Sequence, residues 1–173
     1  CGHATIASFV ALRNLGRLQK TEYIIETAAG RLKVWINDDG LIFMGQNKPS
    51  FFDIISNERL VRCFHPLSLD ERFPVRIVST GLRDIIMPIS APNVLETMVP
   101  DFNEISILSK EMKCISIHCF ALTESDIDNA PTAVCRNFVP LYSINEEAAT
   151  GTSNCALACY LHNLGIRPQR YIF

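Results

Sequence analysis

The sequence contains neither a long apolar run nor a cluster of basic residues. No stretch of about 18 consecutive apolar residues occurs, so the sequence predicts no membrane-spanning helix. The 16 Lys and Arg and the 18 Asp and Glu give a formal net charge of −2. Because no Lys or Arg patch is present, the usual electrostatic signature of a nucleic-acid-binding protein is missing. We therefore expect neither nucleic acid nor membrane as a partner.

Cysteine spacings typical of metal sites or of disulfide frameworks are also missing. The chain has seven cysteines, and their odd number and irregular spacing fit reduced, buried thiols and a cytoplasmic protein. No C-x-x-C pair occurs, and the four histidines are scattered. We therefore predict no metal site and no cofactor.

What is present is ordinary globular composition, with 48% apolar and 20% charged residues. The most informative stretch is residues 146–153, Glu-Glu-Ala-Ala-Thr-Gly-Thr-Ser, which leads into an apolar segment at residues 154–162. The first N–H groups of a helix have no partner inside it and stabilise an anion. Gly151 lets the backbone approach a ligand. Three neighbours add hydroxyl groups: Thr150, Thr152 and Ser153. The pattern predicts an anion site, with an ordinary helix cap as the alternative.

The same pattern occurs at the start of the chain. Residues 1–5, Cys-Gly-His-Ala-Thr, lead into a second apolar helical segment that ends at Gly16. Gly165 ends the later helix in the same way, and both glycines suit a left-handed helix cap. Two similar helix units far apart predict two similar domains, which we place at residues 1–74 and 75–173.

Strand patterns fill the rest of each half. Alternating side chains and turn residues predict strands at residues 23–27, 32–36, 41–44, 75–81, 83–89, 114–122 and 133–138. Helical patterns predict short helices at residues 51–60 and 94–98, and another that starts with Asp101 as its cap. Antiparallel strands with one central helix in each half predict the α+β class.

Both ends of the sequence have the features of an internal fragment. The chain begins at Cys1 inside a turn of functional character, and residues 166–173 have the pattern of a strand that has just begun. We therefore expect a longer protein on both sides.

Four motifs in this order resemble the PhzF-like family of phenazine biosynthesis, which has the diaminopimelate epimerase-like fold. They are residues 1–5, residues 79–81 (Ser-Thr-Gly), residues 136–140 (Arg-Asn-Phe-Val-Pro) and residues 146–152. The resemblance covers the whole chain. It implies two similar domains, each with a mostly antiparallel sheet curled around a central helix, and an active site in the cleft between them. Residues 1–74 would then be the C-terminal part of the first domain. Members of this family are often homodimers.

The resemblance also implies roles for individual residues. His3 is similar in position to the family's active-site histidine. Glu147 lies where the family usually has Asp, and Ala148 lies where it has Pro. We take His3 and Glu147 as the catalytic candidates. The substrate-binding candidates are Gly2, Thr150, Gly151, Thr152, Ser153 and Arg136. The family's main acid/base glutamate lies upstream of residues 1–5, outside this sequence.

The activity implied by the resemblance is isomerisation or epimerisation of a small carboxylate-bearing metabolite by general acid/base proton transfer. Structural interpretations stay open for two candidates, with His3 as a helix cap and Arg136 as a solvated or bridging residue. A mechanism with two thiols is disfavoured, because alanine stands where the second cysteine would be. Two further functions stay open: a binding homologue with impaired catalysis, and an N-terminal-nucleophile hydrolase that uses Cys1.

Overall fold

The first unit of the chain is a helix followed by a three-stranded sheet. A computed structural model describes residues 2–27, 30–123 and 130–173. Helix α1 spans Gly2–Asn14, and strands β1 (Glu22–Thr27), β2 (Gly30–Ile36) and β3 (Ile42–Met44) form an antiparallel sheet in the order β1-β2-β3. The predicted first meander is thereby confirmed. Residues 28–29, between the first two strands, and Cys1, the candidate nucleophile, lie outside the described residues.

The second unit is built on a six-stranded sheet. Its elements are β4 (Ser50–Ile54), α2 (Asn57–Leu60), β5 (Phe64–His65), β6 (Arg76–Ser79), β7 (Arg83–Pro88), α3 (Pro92–Thr97), β8 (Val99–Pro100), α4 (Phe102–Met112), β9 (Ser116–Leu122), β10 (Ala133–Val139), a 3-10 turn (Pro140–Tyr142), β11 (Ile144–Glu147) and α5 (Gly151–Asn163). The sheet order is β11-β10-β9-β7-β6-β4, and β5 pairs with β8. Only β7 and β9 run parallel among the described pairs, because α3 and α4 form the crossover between them.

The six-stranded sheet has two buried faces, since successive side chains on a strand point to opposite sides. On one face, Ile85 and Ile117 belong to a core cluster that includes Leu95 of α3 and Ile105 of α4. On the other face, Ile86 and Phe120 belong to a cluster with Ala156, Leu157 and Tyr160 of α5. Helix α5 is therefore the central helix that the sequence predicts for this half, and the α+β class is confirmed.

Local signals for helix ends are confirmed as well. Asp101 caps α4, because its carboxylate accepts hydrogen bonds from the backbone N–H groups of Asn103 and Glu104, both at 3.0 Å. Gly16 and Gly165 follow α1 and α5 with φ angles of 65° and 90°. These are left-handed conformations that favour glycine.

Two predictions of secondary structure are wrong. Residues 51–60 do not form one helix, because β4 pairs antiparallel with β6 and only Asn57–Leu60 is helical. Residues 166–173 form no strand. Instead Ile166, Tyr171 and Phe173 pack against the apolar cluster beneath α5. Strand pairing decides the conformation of the first segment, and packing against a distant cluster decides that of the second.

The described chain divides into two compact units at a different point from the predicted domain boundary. The units are Cys1–Lys48 and Pro49–Phe173, whereas the sequence places the boundary after residue 74. The segment from Pro49 to residue 74 belongs with the second unit because β4 is an edge strand of its sheet. Among the described helices, none has the length and apolar character needed to cross a bilayer.

Candidate active site

The predicted anion site lies at the start of α5. Thr150 precedes the helix in extended conformation, and its hydroxyl donates to Ser153 Oγ at 3.1 Å instead of capping a backbone N–H group. The first N–H groups of α5 are therefore not capped by this side chain. Gly151 is exposed, and a Cβ atom added there would meet no protein atom within 4 Å. The helix start thus combines backbone donors with open space for a ligand.

Glu147 is the acidic side chain nearest to this helix in sequence. It ends β11, is half-buried, and lies opposite Asn137 of β10 in the antiparallel ladder. Asn137 Nδ2 donates a hydrogen bond to Glu147 Oε2 at 3.0 Å. A carboxylate that accepts such a bond is held in a defined place, which a proton-transfer group requires.

Arg136 has internal partners for its guanidinium. Its Nε and Nη2 donate to the two carboxylate oxygens of Glu146 at 2.7 and 2.8 Å. Its Nη1 donates to the carbonyls of Leu95 and Met98 at 3.0 and 2.7 Å, and Glu146 raises the pKa of Arg136. Arg136 thus joins β10 and β11 to the end of α3. This geometry favours the bridging interpretation over a role in substrate binding.

Replacing Arg136 with lysine should therefore lower stability more than activity. Lysine has a single ammonium group in place of the planar guanidinium, so it cannot keep both the paired hydrogen bonds to Glu146 and the bonds to two carbonyls. We expect the free energy of unfolding to fall by about 1 to 3 kcal/mol, measured by urea denaturation. The exposed Arg62→Lys serves as the matched control. If Arg136→Lys has the same free energy of unfolding as the wild type, the bridging bonds are not structurally important, and a role of Arg136 in ligand binding would be favoured.

The candidates in the first unit are His3 and Gly2. Both lie in the first turn of α1, and His3 is exposed. A Cβ atom on Gly2 would approach Met44 Cε at 3.6 Å, which is ordinary van der Waals contact. An exposed histidine at a helix start is accessible to a ligand, and its predicted catalytic role stays a prediction.

Sequence reasoning missed a row of polar side chains on the sheet face that carries α5. We call Asp84, Ser116, His118 and Asn137 the polar row. Asp84 pairs with Ser116 across β7 and β9, and His118 pairs with Asn137 across β9 and β10. Ser116 Oγ donates to Asp84 Oδ1 at 2.7 Å, and His118 Nδ1 lies 3.2 Å from Asn137 Oδ1. The row ends at Glu147, so it connects the sheet interior with the candidate site.

Burial shifts both titratable groups of the polar row away from their charged forms. It raises the pKa of Asp84 from 3.8 to about 6, although the hydroxyls of Ser116 and Ser153 act in the opposite direction. It lowers the pKa of His118 from 6.5 to about 4, against the effect of the Asn137 and Asn154 side chains. At neutral pH, His118 is therefore neutral and Asp84 is mostly ionised.

The signal that could have revealed this row is the alternation within residues 114–122. Ser116, His118 and Phe120 share one face of the strand because they are two residues apart. Two polar side chains on a buried strand indicate a hydrogen-bonded network. Because most residues of this segment are apolar, the sequence predicts a strand there without indicating the polar network.

The described ranges contain no group of three or more His, Cys, Asp or Glu side chains placed to hold a metal ion. Six cysteines fall within these ranges, and each is a free thiol. Burial raises the pKa of Cys155 and of Cys159, which suits packed thiols of the central helix.

Comparison with known sequences gives one consistent family. A family model described as phenazine biosynthesis-like protein matches residues 1–171. An uncharacterized isomerase of Clostridium acetobutylicum is 34% identical over 169 residues, covering 93% of this chain and 55% of that protein. The uncharacterized isomerase YddE of Escherichia coli is 27% identical over 181 residues, covering 98% and 58%. The chain thus spans little more than half the length of the curated relatives it matches.

Solved structures agree with this result. A phenazine biosynthesis protein of the PhzF family from Bacillus anthracis has a TM-score of 0.78 and 32% identity, covering 93% of this chain and 56% of that one. A predicted epimerase of Pseudomonas aeruginosa has a TM-score of 0.70 and 20% identity, covering 95% and 57%. The second likeness supports the fold alone. With the family model matching nearly the whole chain, the protein belongs to the phenazine biosynthesis-like, or PhzF-like, family.

Proposed function

We propose that the protein is an isomerase that moves a proton at a carbon next to the carboxylate of a small metabolite. The observation that carries this proposal is the carboxylate of Glu147, held by Asn137 a few residues before the uncapped start of α5. Proton removal beside a carboxylate needs an acid/base group at the carbon and positive potential at the carboxylate. In this proposal Glu147 is the acid/base group, the start of α5 provides the positive potential, and the reaction uses no metal or cofactor.

In this proposal the start of α5 binds the substrate carboxylate. The backbone N–H groups of Gly151 and Thr152 donate to it, and the helix dipole adds positive potential. The Thr150 hydroxyl donates to Ser153, whose side chain is buried. These two side chains shape the helix start, and the hydroxyl of half-buried Thr150 can turn toward a ligand. Glu147 exchanges the proton, and His3 of the first unit is the second catalytic candidate.

The names of relatives support the class of reaction. The relatives from Clostridium acetobutylicum and Escherichia coli are called isomerases. Since the chain spans little more than half of their length, the activity of the whole protein, its upstream glutamate and an inter-domain cleft are part of the proposal. Cytoplasmic location and homodimer formation are proposals too, and size-exclusion chromatography tests the second.

Deuterium uptake from heavy water tests the proposed reaction directly. The full-length protein that contains this chain is incubated in heavy water with a panel of small carboxylates, and incorporation is followed by mass spectrometry. An isomerase of this type labels its substrate at the carbon beside the carboxylate. A ligand that raises the melting temperature without taking up deuterium would identify a binding homologue and overturn the proposal.

Replacing Gly151 with alanine should weaken substrate binding without harming the fold. The added methyl group meets no protein atom, and alanine favours a helix by up to about 1 kcal/mol over glycine. The methyl would occupy the space in which a ligand approaches the backbone, so we expect KM to rise at least about tenfold, a loss of about 1.4 kcal/mol in binding. Asn163→Ala at the exposed far end of α5 is the control. If Gly151→Ala has the KM of the wild type, the substrate carboxylate does not bind at the start of α5.

A further inference from the structure

We propose that Asn137 is a positioning residue for the carboxylate of Glu147, and that His118 supports Asn137 by donating a hydrogen bond from Nδ1 to its amide oxygen. The catalytic consequence rests on the proposed function, whereas the hydrogen-bond arrangement can be tested without it. His118 lies outside the sequence motifs, and Asn137, although part of the motif at residues 136–140, is not among the candidate site residues.

The direction of each hydrogen bond follows from chemistry. An ionised carboxylate only accepts hydrogen bonds, so the group that Asn137 turns toward Glu147 must be its NH2 group. The amide oxygen of Asn137 then faces His118 Nδ1 at 3.2 Å. An amide oxygen also only accepts, so His118 Nδ1 must carry the hydrogen. The hydrogen bonds therefore form a series in which His118 donates to Asn137 and Asn137 donates to Glu147.

Burial protects the hydrogen bonds of His118 and Asn137 from exchange with water. The exposed fractions of His118 and Asn137 are 1% and 3%, so water competes little for their hydrogen bonds. Both residues lie inside paired strands, where the backbone register places them opposite each other. The neutral imidazole that burial favours carries one N–H group, and the bond to Asn137 requires it on Nδ1. Nε2, which is buried without a hydrogen-bond partner among the described residues, is then the nitrogen without hydrogen.

Of the three hydrogen-bonded side chains, Glu147 is the one whose position is least restricted by burial. It lies in the edge strand β11, and its side chain is only half-buried. A glutamate has three rotatable side-chain bonds, and an acid/base group displaced by about 1 Å can lose roughly 100-fold in rate. The bond from Asn137 restricts the carboxylate to one place, which is the task of a positioning residue.

The His118 tautomer tests the arrangement without any substrate. The full-length protein is labelled with 15N-histidine, and the His118 signals are identified by their loss in His118→Gln. At pH 7 we expect a neutral ring with hydrogen on Nδ1 and none on Nε2. In Asn137→Leu the fixed preference for Nδ1 should weaken. A ring protonated on Nε2 alone, or on both nitrogens, in the wild-type protein would overturn the proposal.

Kinetics of isotope exchange test the consequence for Glu147. Asn137→Asp keeps the shape but replaces the donor with an acceptor, and Asn137→Leu removes both functions. For each we expect kcat to fall by about tenfold to a hundredfold, as for loss of a hydrogen bond to a charged group, with KM within about twofold. Ser109→Ala, which alters a buried hydroxyl on α4, should leave both constants unchanged.

A double variant separates positioning from general damage to the fold. If Asn137 acts through Glu147, Asn137→Asp should lower kcat in the wild-type background but not in Glu147→Gln. An equal further loss in the Glu147→Gln background, or a rise of KM in place of a fall of kcat, would contradict the proposal. If the wild-type protein exchanges no carboxylate, the proposed function fails, and the His118 tautomer alone decides the hydrogen-bond arrangement.

Discussion

Replacing Glu147 with glutamine should lower the rate of deuterium exchange by about 100- to 10,000-fold, the usual contribution of a general acid or base. Glutamine has nearly the same shape and can still accept the bond from Asn137 Nδ2, but it cannot take up a proton. The expected loss is therefore in kcat, with KM little changed. Rates of exchange at saturating substrate, measured with the full-length protein, check this result.

The neighbouring Glu146 provides a matched control. Its carboxylate pairs with Arg136, so Glu146→Gln should affect stability more than exchange. Glu147→Asp keeps the carboxylate but shortens its reach by one methylene, and we expect a rate between those of the wild type and Glu147→Gln. Exchange at the wild-type rate in Glu147→Gln would remove Glu147 from the mechanism and leave His3 as the remaining catalytic candidate in this chain.

Local sequence signals were enough to predict α5 and its ends. A glycine between hydroxyl residues, an apolar segment of helical length and a final glycine all act on neighbouring backbone groups. The structure accordingly shows a helix from Gly151 to Asn163, followed by Gly165 in the left-handed region. The position of the candidate anion site follows from this local geometry, and its binding of an anion stays a prediction.

Features that depend on distant partners could not be predicted in the same way. Residues 51–54 form a strand because β6, far along the chain, pairs with them. Asp84 and Ser116 are 32 residues apart and meet through the parallel pairing of β7 with β9. Arg136 belongs to a recognisable motif, but its partners Leu95 and Met98 lie about 40 residues earlier and meet it only in the fold. Long-range pairing therefore decides the part of the site that sequence patterns miss.

The two buried titratable groups of the polar row should affect stability in opposite directions as the pH falls. For His118, the folded pKa of about 4 is below its usual value of 6.5. Between these values the unfolded chain binds the proton more tightly, so the free energy of unfolding decreases as the pH falls. For Asp84, the folded pKa of about 6 is above its usual value of 3.8. Here the folded chain binds the proton more tightly, and the free energy of unfolding increases as the pH falls.

Each effect amounts to about 3 kcal/mol, because one pKa unit corresponds to about 1.4 kcal/mol. In the wild-type protein the two contributions nearly cancel between about pH 7 and pH 4, so single variants should reveal them. Relative to the wild type, Asp84→Asn should lose stability as the pH falls, and His118→Gln should gain it. Urea denaturation across this range measures both differences, with exposed His162→Gln as the control. If the free energies of unfolding of Asp84→Asn and His118→Gln change in parallel with pH, the two groups do not titrate as buried members of one row. If they diverge, the sheet interior behind Glu147 responds to pH.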